Sequence, residues 1–379
     1  MKVYEKQLNE HYDYLIVGSG LFGASFARQM TDAGKKCIVI DRRPQLGGNV
    51  YCENVGGIDV HKYGAHIFHT ENEKVWEFVN RYAKFLPYVH RVSARNGENT
   101  YSMPFNMYTF EQMWGVTTAD SAKKIIEEQR EGITDPQNLE EQAISLVGRE
   151  LYETLVKHYT EKQWGRDCRS LPASIIKRLP LRFEYDDRYF TDAYQGIPED
   201  GYNALIERLL DGIVAIPDMS YQKLISAFPD IADKIIYTGS IDGFFDYSLG
   251  HLEYRGLRFE EEDLPQEDFQ GQAVVNYCDS ENQFTRIIEH KYFTNKECNH
   301  TVITREYPQE WVPGREAYYP INDSRNEELY QKYLAMATEE APNVIFGGRL
   351  GSYRYYDMDD AIAAALELAE RESKISEDK

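Results

Sequence analysis

The sequence is short of cysteine, short of positive charge, and without any long apolar run. The five cysteines are Cys37, Cys52, Cys168, Cys278 and Cys298; their number is odd, their spacing irregular, and no C-x-x-C occurs. That excludes a disulfide scaffold and the usual zinc spacings, and it points to a reduced, cytoplasmic protein with no metal site. Lys and Arg number 42 against 63 Asp and Glu, a formal net charge of -21. A field of that sign repels nucleic acid and anionic lipid, so neither is an expected partner. An anionic ligand would have to be gripped by locally placed Arg or Lys. No apolar stretch reaches the length of a membrane span, and the opening MKVYEKQLNEHYDY is polar and mixed in charge, unlike a signal peptide. Repeats and low-complexity linkers are missing too.

What is present suits a globular protein of two or three domains: 379 residues, 42% of them hydrophobic. Tyrosine is plentiful, at 29 residues. A flat apolar ring with a hydroxyl serves sugar and nucleotide sites, and cores as well. Residues 1–11 read as a disordered leader or the tip of a first strand. Tyr14-Leu15-Ile16-Val17 is a short continuous apolar run, as in a buried parallel strand. A glycine turn and an amphipathic segment follow to about Asp32, and Cys37-Ile38-Val39-Ile40 closes a β-α-β unit. Residues 118–165 are expected to be helical, because Leu139, Ala143, Leu146, Val147, Leu151 and Leu155 recur at three- and four-residue steps. Residues 172–200 and 247–320 alternate as antiparallel strands do. Ile235 to Gly239 and Val344-Ile345-Phe346 read as returns to the parallel sheet, and a last helix runs from about Met358 to Glu372.

The glycine turn is Gly18-Ser19-Gly20-Leu21-Phe22-Gly23, a G-x-G-x-x-G between a strand and a helix. The first glycine permits the tight turn, the second lets the backbone approach a pyrophosphate, and the third lets helix and strand pack closely. Free N–H groups at the helix start then face the anion. Asp41 ends the second strand, where a carboxylate reaches ribose hydroxyls. The bland alternative is a glycine turn in an unrelated α/β unit. Arg42-Arg43-Pro44-Gln45-Leu46-Gly47-Gly48-Asn49 follows at once. A basic residue, a short spacer and Gly-Gly resemble the FAD-binding branch of the glutathione-reductase type, and Thr238-Gly239 resembles its second fingerprint.

Other strings are rich in His, Tyr and Arg. They are Gly64-Ala65-His66-Ile67-Phe68-His69-Thr70, Tyr159 to Gly165, Ile176 to Pro180, Asp187 to Phe190, Phe284 to His290, Tyr318 to Asn322 and Gly347 to Met358. In this order they resemble the bacterial UDP-galactopyranose mutases, from about Tyr14 to about Ala369. The resemblance implies an isomerase that interconverts UDP-galactopyranose and UDP-galactofuranose without net oxidation. It implies FAD, active when reduced, whose N5 takes the anomeric carbon in a covalent adduct as UDP leaves. It also implies a cellular flavin reductant and a homodimer.

Carried over residue by residue, Arg178 and Arg286 match the family's diphosphate-binding arginines; a surface ion pair is the ordinary alternative for each. Tyr189, Tyr319 and Tyr355 match diphosphate-binding tyrosines. Thr160 and Trp164 match positions near the sugar and on the mobile lid beside it, Tyr159 matches a substrate-binding position, and Phe190 and Asn276 match the uridine and substrate pocket. His90 falls where some relatives have His and others Asn. Phe22, Asp41, Arg42, Gly48, Asn49, His66, Ile67, Gly348, Arg349, Asp357 and Met358 match cofactor positions, as does Tyr355. His66 is expected beside the isoalloxazine and is counted with the two arginines as catalytic. The dipole of the helix opening at Asp357-Met358-Asp359 is expected to favour negative charge on the reduced flavin. One departure stands out: Asn282-Gln283-Phe284 stands where many relatives have Val-Pro-Tyr before Thr285-Arg286, which removes a proline's constraint on that loop.

The expected architecture is therefore α/β: a glutathione-reductase-like FAD-binding Rossmann domain with an inserted helical subdomain and an antiparallel β-sheet domain. The FAD-binding domain is expected at 12–84, 201–246 and 340–379, the helical subdomain at 105–170, and the sheet domain at 85–104, 171–200 and 247–339. Two other readings remain at this stage. One is an amine oxidase-like FAD-dependent oxidoreductase, which shares the glycine loop but has no use for an arginine pair. The other is an FAD-binding protein without catalysis, which would leave the polar strings idle.

Overall fold

The computed structural model describes residues 4–176, 179–294 and 296–377. A five-stranded sheet has the spatial order Val214–Ile216, Cys37–Ile40, Tyr12–Val17, Ala232–Tyr237, Val344–Phe346, with every neighbouring pair parallel. Successive strand residues point to opposite faces. Tyr14, Ile16, Val39 and Ile236 pack against the helices Leu21–Asp32, Gly201–Leu209 and Met358–Glu377. Leu15, Ile38, Ile40, Ile235 and Tyr237 face the helix Tyr221–Ala227 and Phe244 on the other side. Both faces are covered, which is why these strands read as unbroken apolar runs.

The expected leader is partly built in. Glu5–Leu8 forms a helical turn, and Leu8, 2% exposed, packs with Tyr12 and Leu15. Its one apolar anchor is too little pattern to read from sequence.

A second sheet has seven strands, in the order Tyr319–Pro320, Tyr254–Leu264, Thr301–Glu310, Arg286–Glu289, Val274–Tyr277, Val92–Asn96, Asn99–Met103. It is mixed rather than antiparallel throughout, because Val274–Tyr277 runs parallel to Val92–Asn96. Side-chain alternation is the same in both orientations, so this pairing leaves no mark on the sequence. Among the described residues of 172–200, which also depart from the expected strands, regular structure beyond the turn Ala173–Ile175 is confined to Tyr194–Pro198. Pro172 and Pro180 offer no ladder donor, and Asp186 takes the main-chain N–H and the guanidinium of Arg188 instead. Tyr194–Pro198 pairs with both Phe68–Thr70 and Phe85–Pro87.

Between Met107 and Trp164 lie the helices Met107–Trp114, Ala119–Gln129 and Leu139–Val147, then a continuous run of Arg149–Leu151, the π-helical Tyr152–Val156 and Lys157–Trp164. Asn106, Thr118 and Asn138 cap three of them, each accepting main-chain N–H groups through its side chain. Ala94, Tyr101 and Cys278 of the mixed-sheet region enter the apolar core of this block. Its last helix, Lys157–Trp164, is thereby held over the sheet.

The glycine loop sits at the carboxyl end of the first strand. Gly18 has φ +109°, and a Cβ there would lie 1.9 Å from Thr238 Oγ1, whose hydroxyl donates to the Val17 carbonyl at 2.7 Å. Gly18→Ala should therefore lower unfolding stability by about 2 kcal/mol or more, from strain plus overlap. Urea titration measures it, and an unchanged midpoint would contradict this packing.

Candidate active site

A cleft of about 440 Å³ opens where the parallel strands end, the place where open α/β sheets hold ligands. Gly18, Gly20, Phe22, Gly23, Asp41, Arg42, Gly48, Asn49, His66, Gly348, Arg349, Asp357 and Met358 line it. Gly20 and Gly48 meet across it so closely that a Cβ on Gly48 would lie 2.8 Å from Gly20 Cα. Asp41 is buried and organises the loop: its Oδ2 takes the N–H and hydroxyl of Ser19 at 2.9 and 2.6 Å, and its Oδ1 takes the Arg43 N–H at 2.9 Å. Ser19 Oγ in turn accepts the Gly47 N–H at 3.0 Å, which ties the two glycine segments together.

Several cleft residues were not picked out from the sequence. Glu316 accepts from both Arg42 and Arg43, at 2.7 and 3.0 Å. Arg43 stacks on Tyr63, and its Nη1 is buried without a partner. The doubled arginine after Asp41 was the available signal for Arg43. Glu316 had none, since it comes from a loop 273 residues further on.

Two expected cofactor residues do not line this cleft. Ile67 is buried with Val92, Ile197, Val274 and Ile288. Tyr355 is exposed and stacks on Tyr319, ring centroids 5.6 Å apart. At the helix start, Asp360 accepts the Asp357 N–H and Asp359 accepts the Thr70 hydroxyl. These carboxylates oppose part of the dipole's attraction for further negative charge.

Beside the cleft stands Arg286. It opens the strand Arg286–Glu289, with Asn276 opposite on one neighbour and Glu306 opposite on the other. Its Nε donates to Glu306 Oε1 at 3.0 Å, and the Glu306 side chain is only 4% exposed. Burial works against the guanidinium's charge, but Glu306 and the nearby Tyr159, Tyr319 and Tyr189 outweigh it and hold Arg286 above its ordinary range. Glu306 was not singled out from the sequence: it lies twenty residues from Arg286, and only strand register joins them.

Arg349 links the two regions. It lines the cleft, donates to the Tyr356 and Tyr318 carbonyls, and lies over the rings of Tyr319 and Tyr355 at 5.6 and 5.1 Å. His90 is buried 5.5 Å from the Tyr189 ring and 5.7 Å from Phe190, which itself stacks on His69. Thr160 is buried on the helix that carries Tyr159, and Trp164 packs at that helix's end against the helical core. Arg178 lies outside the described residues.

The loop lacking the family's proline is fastened in other ways. Asp279 Oδ1 takes the N–H groups of Glu281 and Asn282 and the Asn282 amide, at 3.0, 2.8 and 3.0 Å. Lys162 Nζ donates to the Tyr277 and Phe284 carbonyls at 2.7 and 3.1 Å, closing both ends of the loop onto the helix of Tyr159. Proline's constraint is thus replaced by side-chain hydrogen bonds just ahead of Arg286.

A family model described as UDP-galactopyranose mutase matches residues 154–355, and one described as an NAD(P)-binding Rossmann-like domain matches 16–82. A probable UDP-galactopyranose mutase of Klebsiella pneumoniae is 44% identical over 94% of this chain and 93% of its own length. The chain belongs to the UDP-galactopyranose mutase family. It is a sugar mutase of that family, built on a dinucleotide-binding domain. A dTDP-fucopyranose mutase of Escherichia coli is also close, 40% identical over 94% of this chain and 97% of its own. A solved structure of a reduced UDP-galactopyranose mutase superposes with a TM-score of 0.75 at 13% identity, over 96% of this chain and 94% of the other, and so shares the fold. Among the described residues of this mutase, no helix is long and apolar enough to cross a membrane, and no group of His, Cys, Asp and Glu is placed to hold a metal ion.

The mutase's interior histidines are held neutral. Burial, with Arg349 nearby, pushes His66 down to about 4; burial, with Arg286 and His69 nearby, pushes His90 to about 3; burial, with Lys62 nearby, pushes His290 to about 3. Unfolded, each titrates near 6.5. Between these values the unfolded chain binds more protons than the folded one, so this stabilisation is complete above about pH 6.5 and is lost as pH falls toward 4. The urea midpoint should fall steadily from pH 7 to pH 5, and His90→Asn should flatten the slope. A flat profile for the unaltered protein would contradict the burial of neutral imidazoles.

Proposed function

We propose that this mutase interconverts UDP-galactopyranose and UDP-galactofuranose, with FAD held in the cleft and used in its reduced form. The observation that carries the reading is Arg286. In a chain of net charge -21, a permanently charged guanidinium is fixed among Tyr159, Tyr189 and Tyr319, next to a cleft built for a dinucleotide.

The cleft's own chemistry supports FAD. The close Gly20–Gly48 approach leaves backbone exposed at the start of the helix Leu21–Asp32, a ready site for a pyrophosphate. The unpartnered Arg43 Nη1 and His66 Nδ1 are buried polar atoms that a polar ligand would satisfy. Gly18, Gly20 and Gly23 would hold the pyrophosphate and Asp41 and Arg42 would flank the ribose side. Phe22, Gly48, Asn49, His66, Gly348, Arg349, Asp357 and Met358 would hold the remainder, with Ile67 backing the His66 segment from the core and Tyr355 standing at the edge. When bound and reduced, the flavin supplies a nucleophile, its N5, for the sugar's anomeric carbon.

The protein's part is to manage the departing and returning diphosphate. Arg286, with Arg178, would bind phosphate oxygens through charge-assisted hydrogen bonds as negative charge collects there. Burial raises Tyr159 and Tyr319 above the usual phenol range, and Tyr355 stands against Tyr319 on the open side. They therefore stay protonated at neutral pH and act as donors. Together with Tyr189 they would complete the ring around the diphosphate. His90 is neutral, so it offers a sugar hydroxyl one donor and one acceptor. Asn276, Phe190, Thr160 and Trp164 would line the rest of the pocket.

The 40% identical dTDP-fucopyranose mutase gives a second reading specific enough to test: a dTDP-sugar in place of the UDP-sugar. Dithionite-reduced protein should convert UDP-galactofuranose to UDP-galactopyranose with higher kcat/KM than it shows for dTDP-fucofuranose; the reverse order would transfer the assignment. Arg286→Ala should cost at least about 100-fold in kcat/KM, the scale of a lost transition-state donor, while flavin content is unchanged. Loss of FAD from that variant would mean that Arg286 serves the cofactor rather than the diphosphate.

A further inference from the structure

The main chain that presents His66 is hung from two buried histidines. His290 is 1% exposed, and its Nδ1 accepts the main-chain N–H of His61 at 3.2 Å. His61 is 3% exposed, and its own Nδ1 accepts the main-chain N–H of His66 at 3.1 Å. A ring nitrogen that accepts carries no proton, so both imidazoles are the neutral tautomer with hydrogen on Nε2. His290 Nε2 then donates to Thr304 Oγ1 at 2.7 Å. The His61 ring is clamped face to face on Phe293, centroids 4.5 Å apart and planes within 10°. From the other side, the Tyr202 hydroxyl donates to the His66 carbonyl at 3.1 Å. Thr304, His290, His61 and His66 thus form one directed chain from the mixed sheet to the edge of the cleft.

This arrangement is more specific than packing alone requires. Phe, Leu or Met would fill the same apolar space, but none of them can accept the N–H of His66. Burial pushes both rings far below the ordinary histidine range, which keeps each acceptor nitrogen free at neutral pH. We propose that His61 and His290 are positioning residues of the mutase, fixing the main chain at His66 against the flavin ring and so tuning how that flavin is held in its two redox states. The proposal rests on the FAD reading given above. Neither histidine lines the cleft; both act through His66.

The test uses the holoprotein, with two readouts besides turnover: the Kd for FAD from titration of the apoprotein, and the midpoint potential of the bound flavin. His61→Leu removes the acceptor. It should weaken FAD binding at least tenfold, or change the ratio of affinities for reduced and oxidised flavin tenfold, which is about 30 mV for a two-electron couple. His61→Asn sets an amide oxygen near the place of Nδ1 and should restore both values to within threefold. Should His61→Leu fail to fold, Thr304→Val, which unpins His290 without touching the cleft, should move both values in the same direction by a smaller factor. A folded His61→Leu, or a folded Thr304→Val where it stands in, with unchanged Kd and potential overturns the proposal, because a merely structural relay would lower stability and leave the flavin alone. Failure of the unaltered protein to bind FAD would overturn the flavin reading and this inference together.

Discussion

The site depends on one half-buried ion pair across two strands. Arg286 and Glu306 face each other in register, and the carboxylate is almost wholly removed from water. A lone guanidinium in that position would be costly, and truncating either partner of such a pair typically costs about 3–5 kcal/mol. Glu306 does more than neutralise. Its Oε2 would lie 3.7 Å from a Cβ on Gly64, so it also borders the segment that carries His66. One carboxylate therefore fixes the arginine and abuts the edge of the cleft. In so acidic a chain the burial of the carboxylate sets this pair apart from exposed ones such as Arg149 with Glu131 or Arg91 with Asp187.

Arg349 joins the two halves. Its guanidinium belongs at once to the cleft wall and to the Tyr319–Tyr355 pair. A ligand in the cleft and a ligand among the tyrosines are therefore neighbours of one charge. That adjacency suits the proposed function, in which a cofactor would react with a sugar held beside it. Neutral His66 and His90 add no positive charge there; under the proposed function, a diphosphate would be left to the arginines.

Legibility from sequence followed distance along the chain. The glycine loop, its strands and Asp41 were readable because the motif and its context fit within thirty residues. Helix caps such as Asn106 and Asn138 are equally local. The cross-strand partner of Arg286, the Glu316 clamp on Arg42 and Arg43, and the His61–His290 relay were not readable, since each is created by register or loop return over tens to hundreds of residues. The parallel pairing of Val274–Tyr277 was hidden because alternation does not encode direction. Residues 172–200 misled because Pro172 and Pro180 interrupt any ladder and Asp186 takes the Arg188 main chain and guanidinium instead. Resemblance to a known family, not pattern, singled out the tyrosines, and their grouping around Arg286 emerges only in three dimensions.

The central claim is that the cleft's cofactor takes part in the reaction without being spent. The most direct measurement is a count of furanose-to-pyranose conversions per reducing equivalent supplied, made anaerobically with stoichiometrically reduced protein. Many conversions per electron pair, and none with oxidised protein, are expected. One conversion per pair, or equal conversion by the oxidised form, would contradict that claim.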